Sequence, residues 1–382
     1  MKPEANMAAD PPASRVLHVG CPNLGDQQVF QQLVDEIFER RWFTNNGEVV
    51  REFERRLCEY LDVRHCIPVC NATIGLQLAC LALELTGEVI VPAFTFVATP
   101  HAIRCQGLRP VFADVDRTTH TICPESVQSL ISDSTSAILG VHVWGQPCMT
   151  ERLDDLAEKH GLHVMYDAAH AFGCKHDGKM IGNLGRCEVF SFHATKFFNT
   201  FEGGAIATND DELADRIRKM KNFGFAGPDN VAMLGTNAKM TEICAAMGIS
   251  VFARLDQILE CNRTNYELYK TSLQAISGLR FFTYDHLEQT NWQYIVLEID
   301  ERDFGATRDD VFEFLNNHNV RARRYFYPGC HNMEPYCSEN STQKHLDQTD
   351  WLCKRALCLP TGSAVTPKDV ERICDLLKSS RQ

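Results

Sequence analysis

Apolar residues recur at three- and four-residue steps in two early stretches, DQQVFQQLVDEIFERR and EVVREFERRLCEYL, and the spacing predicts two amphipathic helices. Short apolar runs then alternate with helical patterns. HCIPVC, EVIVP, RPVFADV, SAILGVHV, HVMYD and EVFSF read as strands, and TIGLQLACLALEL, VATPHAIRCQG and MTERLDDLAEKHG as helices between them. Strands alternating with helices predict an α/β fold, a mostly parallel sheet covered on both faces. Ligands of such sheets sit beyond the carboxyl ends of the strands. From about residue 240 a long helical pattern, MTEICAAMGISVFARLDQILECNRTNYELYKTSLQAI, predicts two helices in series. The rest reads as a small α+β unit: WQYIVLEID alternates with period two, RDDVFEFLNNHN is a helix, VRARRYF a short strand and KDVERICDLLKSS a closing helix. The expected division is a flexible tail over 1–15, a large domain over 16–255 and a small C-terminal domain over 256–382.

Composition narrows the functional classes. At 382 residues, 44% hydrophobic and 23% charged, the chain is ordinary globular protein with more length than one core usually organises. A formal net charge of −12 argues against a nucleic-acid partner, which needs a basic face. The N-terminal MKPEANMAADPPASR lacks the apolar core of a signal peptide. No run reaches the roughly 18 apolar residues of a membrane span. The 17 cysteines include no CxxC pair, and neither Cys66–Cys70 nor Cys353–Cys358 has zinc-knuckle spacing. They read as reduced, small apolar fillers in a cytoplasmic protein, with no metal site.

One lysine stands out. In SFHATKFFNTFEGGAI, Lys196 follows the end of an apolar strand run and is flanked by aromatics and by the hydroxyls of Ser191, Thr195 and Thr200. Gly203 and Gly204 let the backbone approach a ligand closely. An arbitrary lysine is a solvated surface residue, but one in a desolvated pocket has a lowered pKa and attacks carbonyls. The matching carbonyl is the aldehyde of pyridoxal 5′-phosphate. That cofactor also needs a carboxylate for its ring nitrogen, and Asp167, ending HVMYD, is a candidate, with a helix cap as the plain alternative. Its phosphate needs amides at a helix start, which the strand-to-helix passage at Asn71, Ala72 and Thr73 offers; ordinary capping by Asn71 or Thr73 explains that segment equally well. Ser191 is a second phosphate candidate. Phe94 and Phe96 are candidates to cover the ring, with core packing as the alternative.

These stretches, with PVFADVD, GVHVWGQPC, YDAAHAFG, GTNAKMTEICAAMG and YFYPGCH, resemble the sugar-nucleotide aminotransferases of the DegT/DnrJ/EryC1/StrS family. The resemblance implies a pyridoxal-phosphate enzyme of fold type I with a seven-stranded sheet. It implies Lys196 as the lysine bound to the cofactor and Asp167 as the partner of the pyridine nitrogen. His170, where most of the family has glutamine, would lie near the phenolic oxygen, and Phe96 would stack on the ring. Ala72, Thr73 and Ser191 would hold the phosphate, joined by Asn237 from the neighbouring subunit of a homodimer with shared sites. SFHATK in place of S-F-x-P-T-K, and GTNAKM in place of GYNYRM, are similar to the branch that makes dTDP-4-amino-4,6-dideoxyglucose. That branch aminates C4 of dTDP-4-keto-6-deoxyglucose with L-glutamate as donor. Candidates for the substrate's diphosphate are Lys221, Asn222, Lys239, Arg323, Arg324, Tyr327 and His331, each otherwise a solvated surface residue.

Three rival readings carry their own discriminators. An aminotransferase acting on a 3-keto sugar nucleotide would differ in its accepted substrate. A non-catalytic relative would keep the fold, but here the lysine, aspartate and phosphate segment all survive. A nicotinamide-dependent oxidoreductase would show GxGxxG after the first strand, and none is present.

Overall fold

The computed structural model describes residues 15–284, 287–339 and 346–381. Of the tail expected over 1–15, all but Arg15 lies outside the described residues. The six apolar runs form β1 (His65–Val69), β2 (Glu88–Pro92), β3 (Arg109–Ala113), β4 (Thr135–Val141), β5 (His163–Asp167) and β6 (Cys187–Ser191). A seventh strand, β7 (Gly204–Thr208), completes a seven-stranded sheet of order β1-β7-β6-β5-β4-β2-β3. Strands β2 to β6 pair in parallel, while β7 runs antiparallel to both neighbours, β1 and β6.

Successive residues of one strand enter different cores, as pleating requires of a sheet covered on both faces. Ile67, Val69, Val189 and Ile206 pack into one cluster, and Cys66, Phe190, Ala205 and Ala207 into another. Helix α1 (Gln27–Arg40) and helix α2 (Glu48–Leu61) follow the two early amphipathic patterns, and α2 buries Val49, Val50, Phe53, Leu57 and Leu61. The long helical pattern divides as read from sequence, into α6 (Glu242–Phe252) and α7 (Leu255–Leu273), numbered after α3 (Ala72–Ala82), α4 (Ala98–Cys105) and α5 (Thr150–His160).

The C-terminal part carries a three-stranded antiparallel sheet, β8 (Leu279–Phe281), β9 (Ile295–Ile299) and β10 (Ala356–Leu359), with β9 central. The period-two stretch WQYIVLEID carries β9, and all five residues of that strand are buried. The polar position is Glu298, whose carboxylate is paired inside the protein with His120 and Arg280. The short strand expected in VRARRYF is two residues long, Val320–Arg321. All 17 cysteines are free thiols. Among the described residues, no helix is long and apolar enough to cross a membrane.

Candidate active site

The carboxyl ends of β1, β4, β5 and β6 open onto one cavity of about 730 Å³. Its wall includes Ala72, Thr73, Phe96, Asp167, His170, Ser191 and Lys196, so seven residues singled out from sequence meet in one place.

Lys196 sits in the connection between β6 and β7. That connection is closed at its base, where Phe192 N donates to Gly203 O (2.9 Å) and Thr200 N to Phe192 O (2.8 Å). Lys196 Nζ lies 3.4 Å from the Tyr294 hydroxyl. The cavity walls desolvate the ammonium and bring its pKa down to about 8, although the nearby Asp167 charge pulls the other way.

Asp167 ends β5 and is 6% exposed. Thr99 Oγ1 donates to its Oδ2 (2.8 Å) and Ala169 N to its Oδ1 (3.0 Å). Burial pushes this carboxyl up, against the pull of these two donors and of Lys196. A cation in the cavity would favour the ionised acid.

Helix α3 begins at the cavity. Asn71 caps it, accepting from Ile74 N at 2.9 Å, so the capping reading holds for Asn71. Ala72 and Thr73, in the open first turn, line the cavity together with Ser191. Gly204 lets the segments meet: a Cβ there would lie 2.8 Å from Ala72 N and 2.7 Å from Phe190 O.

The two aromatic candidates separate. Phe94 is fully buried and packs edge-on against Trp144 and Phe326. Phe96 is 57% exposed and lines the cavity. His170 is buried, its Nδ1 accepting from Trp144 N (3.1 Å). Burial and the neighbouring Lys196 hold its pKa well below the usual histidine value.

The substrate candidates scatter. Arg323 is exposed and lines both this cavity and an adjacent one that also holds Arg324 and Tyr327. Arg324 pairs with Asp309 (3.0 Å). His331 is not among the cavity's lining residues; its Nε2 lies 3.1 Å from Asp350. Lys221, Asn222 and Lys239 share a separate cavity. Lys221 is buried, its Nζ donating to Pro68 O (3.2 Å), and burial brings it down to about 8. Asn237 is exposed and outside the cavity of Lys196.

Sequence reading passed over Thr99 and Tyr294. Thr99 had a local signal, the Thr95–Thr99 pair one helical turn apart, whose hydroxyls lie 2.9 Å apart. Tyr294 had none, since it approaches Lys196 only through folding.

This donor set suits pyridoxal 5′-phosphate: an amine for the aldehyde, a carboxylate for a protonated ring nitrogen, and an open helix start for the phosphate, all on one cavity. The family model for the DegT/DnrJ/EryC1/StrS aminotransferase family matches residues 25–378. The chain is 36% identical to a dTDP-4-amino-4,6-dideoxy-D-glucose transaminase of Shigella dysenteriae, over 94% of this chain and 97% of the relative. It is 31% identical to a GDP-perosamine synthase of Vibrio cholerae, over 91% and 95%. Among solved structures it resembles DesI, crystallised in the presence of its TDP-sugar product, with a TM-score of 0.92, 45% identity, and coverage of 96% of this chain and 93% of that one.

Proposed function

Since the chain belongs to the DegT/DnrJ/EryC1/StrS aminotransferase family, we propose that it transfers the amino group of L-glutamate to C4 of dTDP-4-keto-6-deoxy-D-glucose, giving dTDP-4-amino-4,6-dideoxy-D-glucose and 2-oxoglutarate. The observation that carries this reading is the pairing, in one cavity, of the desolvated Lys196 amine with the buried Asp167 carboxylate. The likeness to transaminases acting on dTDP-sugars supports the choice of acceptor.

Pyridoxal 5′-phosphate is the cofactor, and when bound it supplies an electron sink for charge developing at the substrate carbon. The residues supply the rest. Asp167, held by Thr99 and Ala169, would pair with the ring nitrogen, and Ala72, Thr73 and Ser191 would hold the phosphate. Lys196 Nζ would hold the cofactor's aldehyde carbon, and its amine would be the base placed to take the Cα proton of glutamate and to return a proton at C4 of the sugar. With its pKa near 8, the amine changes protonation state at little cost around neutral pH. Phe96, on the cavity wall, would cover the ring. Arg323, on the cavity rim, is the candidate partner of the diphosphate.

The working unit we propose is a homodimer in which Asn237 serves the neighbour's phosphate, with Lys221 and Lys239 near the same junction. The exposed Phe223, Phe225, Val231 and Leu234 around Asn237 support a covered surface there. The free thiols support a reducing, cytoplasmic setting.

The test is direct. Purified protein supplied with pyridoxal phosphate and glutamate is offered the 4-keto and the 3-keto dTDP-sugar separately. Amination at C4, with stoichiometric 2-oxoglutarate, is expected. Amination of the 3-keto isomer alone, or of neither, overturns the assignment.

A further inference from the structure

Trp144 is fully buried, yet its backbone lies in the left-handed region, at φ 62 and ψ 2. A bulky residue adopts this conformation only when its surroundings impose it. Two directional contacts are found there. The main-chain N–H of Trp144 donates to His170 Nδ1 at 3.1 Å. The indole Nε1–H donates to Nδ1 of the buried His120, also at 3.1 Å.

Both donors fix proton positions. A backbone N–H and an indole N–H can only donate, so each Nδ1 must be an unprotonated acceptor. His120 therefore carries its proton on Nε2 and donates it to the buried Glu298 carboxylate, 3.0 Å away on β9. Arg280 braces that carboxylate at 3.0 Å. The neutral form of His170 likewise carries its proton on Nε2.

The rest of the surroundings hold the His170 ring in place. It packs beside the rings of Trp144 (centroids 5.8 Å, interplanar angle 18°) and Phe326 (6.0 Å, 15°), which stack on each other at 5.4 Å, with Tyr294 at 4.4 Å. Asn291 Nδ2 donates to the carbonyl of His170 at 2.9 Å. Gly145, at φ 89, admits the same carbonyl, since a Cβ there would lie 3.2 Å from it.

We propose that Trp144, anchored through His120 to Glu298, is a positioning residue that locks His170 as a neutral Nε2–H donor on the cavity wall. His170 then offers a proton to an anionic oxygen in the cavity, such as the phenolic oxygen of the cofactor, and cannot accept one at Nδ1. The strained turn at Trp144 exists to aim its N–H. The anchor lies on the C-terminal sheet, so this sheet sets the chemistry of a wall built by the other. The inference concerns the protein's own hydrogen bonds and stands whichever ketosugar is accepted.

The test is the tautomer of His170, read by nitrogen NMR of the full-length protein with ¹⁵N-labelled histidine, cofactor-free and loaded, and assigned against His170→Gln. Wild-type protein is expected to show one tautomer, protonated at Nε2. Trp144→Phe removes the indole donor and His120→Leu removes its acceptor; each is expected to lose the single-tautomer signature and give a mixture. His120→Asn, which keeps an acceptor near the place of Nδ1, is expected to restore it. A wild-type His170 protonated at Nδ1 overturns the proposal, whatever the variants' stability. So does a single Nε2–H tautomer persisting in folded Trp144→Phe and His120→Leu.

Discussion

Thr99 donates its hydroxyl to Asp167 at 2.8 Å, and this bond ties helix α4 to the end of β5. The carboxylate is thereby held by a side chain on one oxygen and by a main-chain amide on the other, both of which favour its ionised form. Thr99→Val keeps the shape and removes the donor. A hydrogen bond to a charged group is worth about 1.5–3 kcal/mol, so turnover is expected to fall by about tenfold or more with little change in KM for glutamate. Steady-state kinetics check this, and an unchanged kcat would show that Thr99 has no bearing on Asp167.

Asp167 itself is expected to trade stability for chemistry. Burial pushes its carboxyl up, so the folded protein resists ionising it while the unfolded chain ionises freely. The sign follows: above the ordinary carboxylate range the charged Asp167 costs stability, and at acid pH, where both states are protonated, that cost vanishes. Cofactor-free Asp167→Asn is expected to melt a few degrees higher than the parent at neutral pH and to lose this advantage in acid, while activity falls at least about a hundredfold. Paired melting curves at the two pH values decide it.

The pH dependence of cofactor uptake follows from Lys196. Burial brings its amine down to about 8, and the protonated form has no lone pair with which to attack an aldehyde. The rate at which cofactor-free protein develops its visible absorbance is therefore expected to rise about tenfold per pH unit and level off above about 8. Lys196→Ala should develop no such band. A rate still climbing toward the ordinary lysine range would contradict a desolvated amine.

Gly204 is expected to be intolerant of even a methyl group. Its Cβ would fall 2.8 Å from Ala72 N and 2.7 Å from Phe190 O, both main-chain atoms that cannot swing aside. Gly204→Ala is expected to push the start of α3 outward and weaken pyridoxal-phosphate binding by about tenfold or more, about 1.4 kcal/mol. Equilibrium dialysis measures it, and native affinity in this variant would remove the phosphate from the start of α3.

Most of the sheet was legible because six of its strands, β1 to β6, read as apolar runs ended by turns. Strand β7 was not. Gly204, Ala205 and Ala207 are poor strand formers, and their pairing with β1 and β6 is a long-range contact that no local pattern announces. At the site, Lys196 and Asp167 could be found because each interrupts or ends an apolar run. Tyr294 and Trp144 could not, because what distinguishes them is a partner at 3.1 to 3.4 Å from a distant segment. The burial of Glu298 belongs with these, because only the fold brings His120 to it.

The antiparallel seventh strand has a mechanical consequence. Because β7 returns alongside β6, the segment bearing Lys196 is gripped at both roots by paired backbone and does not hang from one strand end. Lys196 is thus carried by the sheet's own stiffness. Jostling at the protein surface must shear a two-strand splice before it can displace the amine.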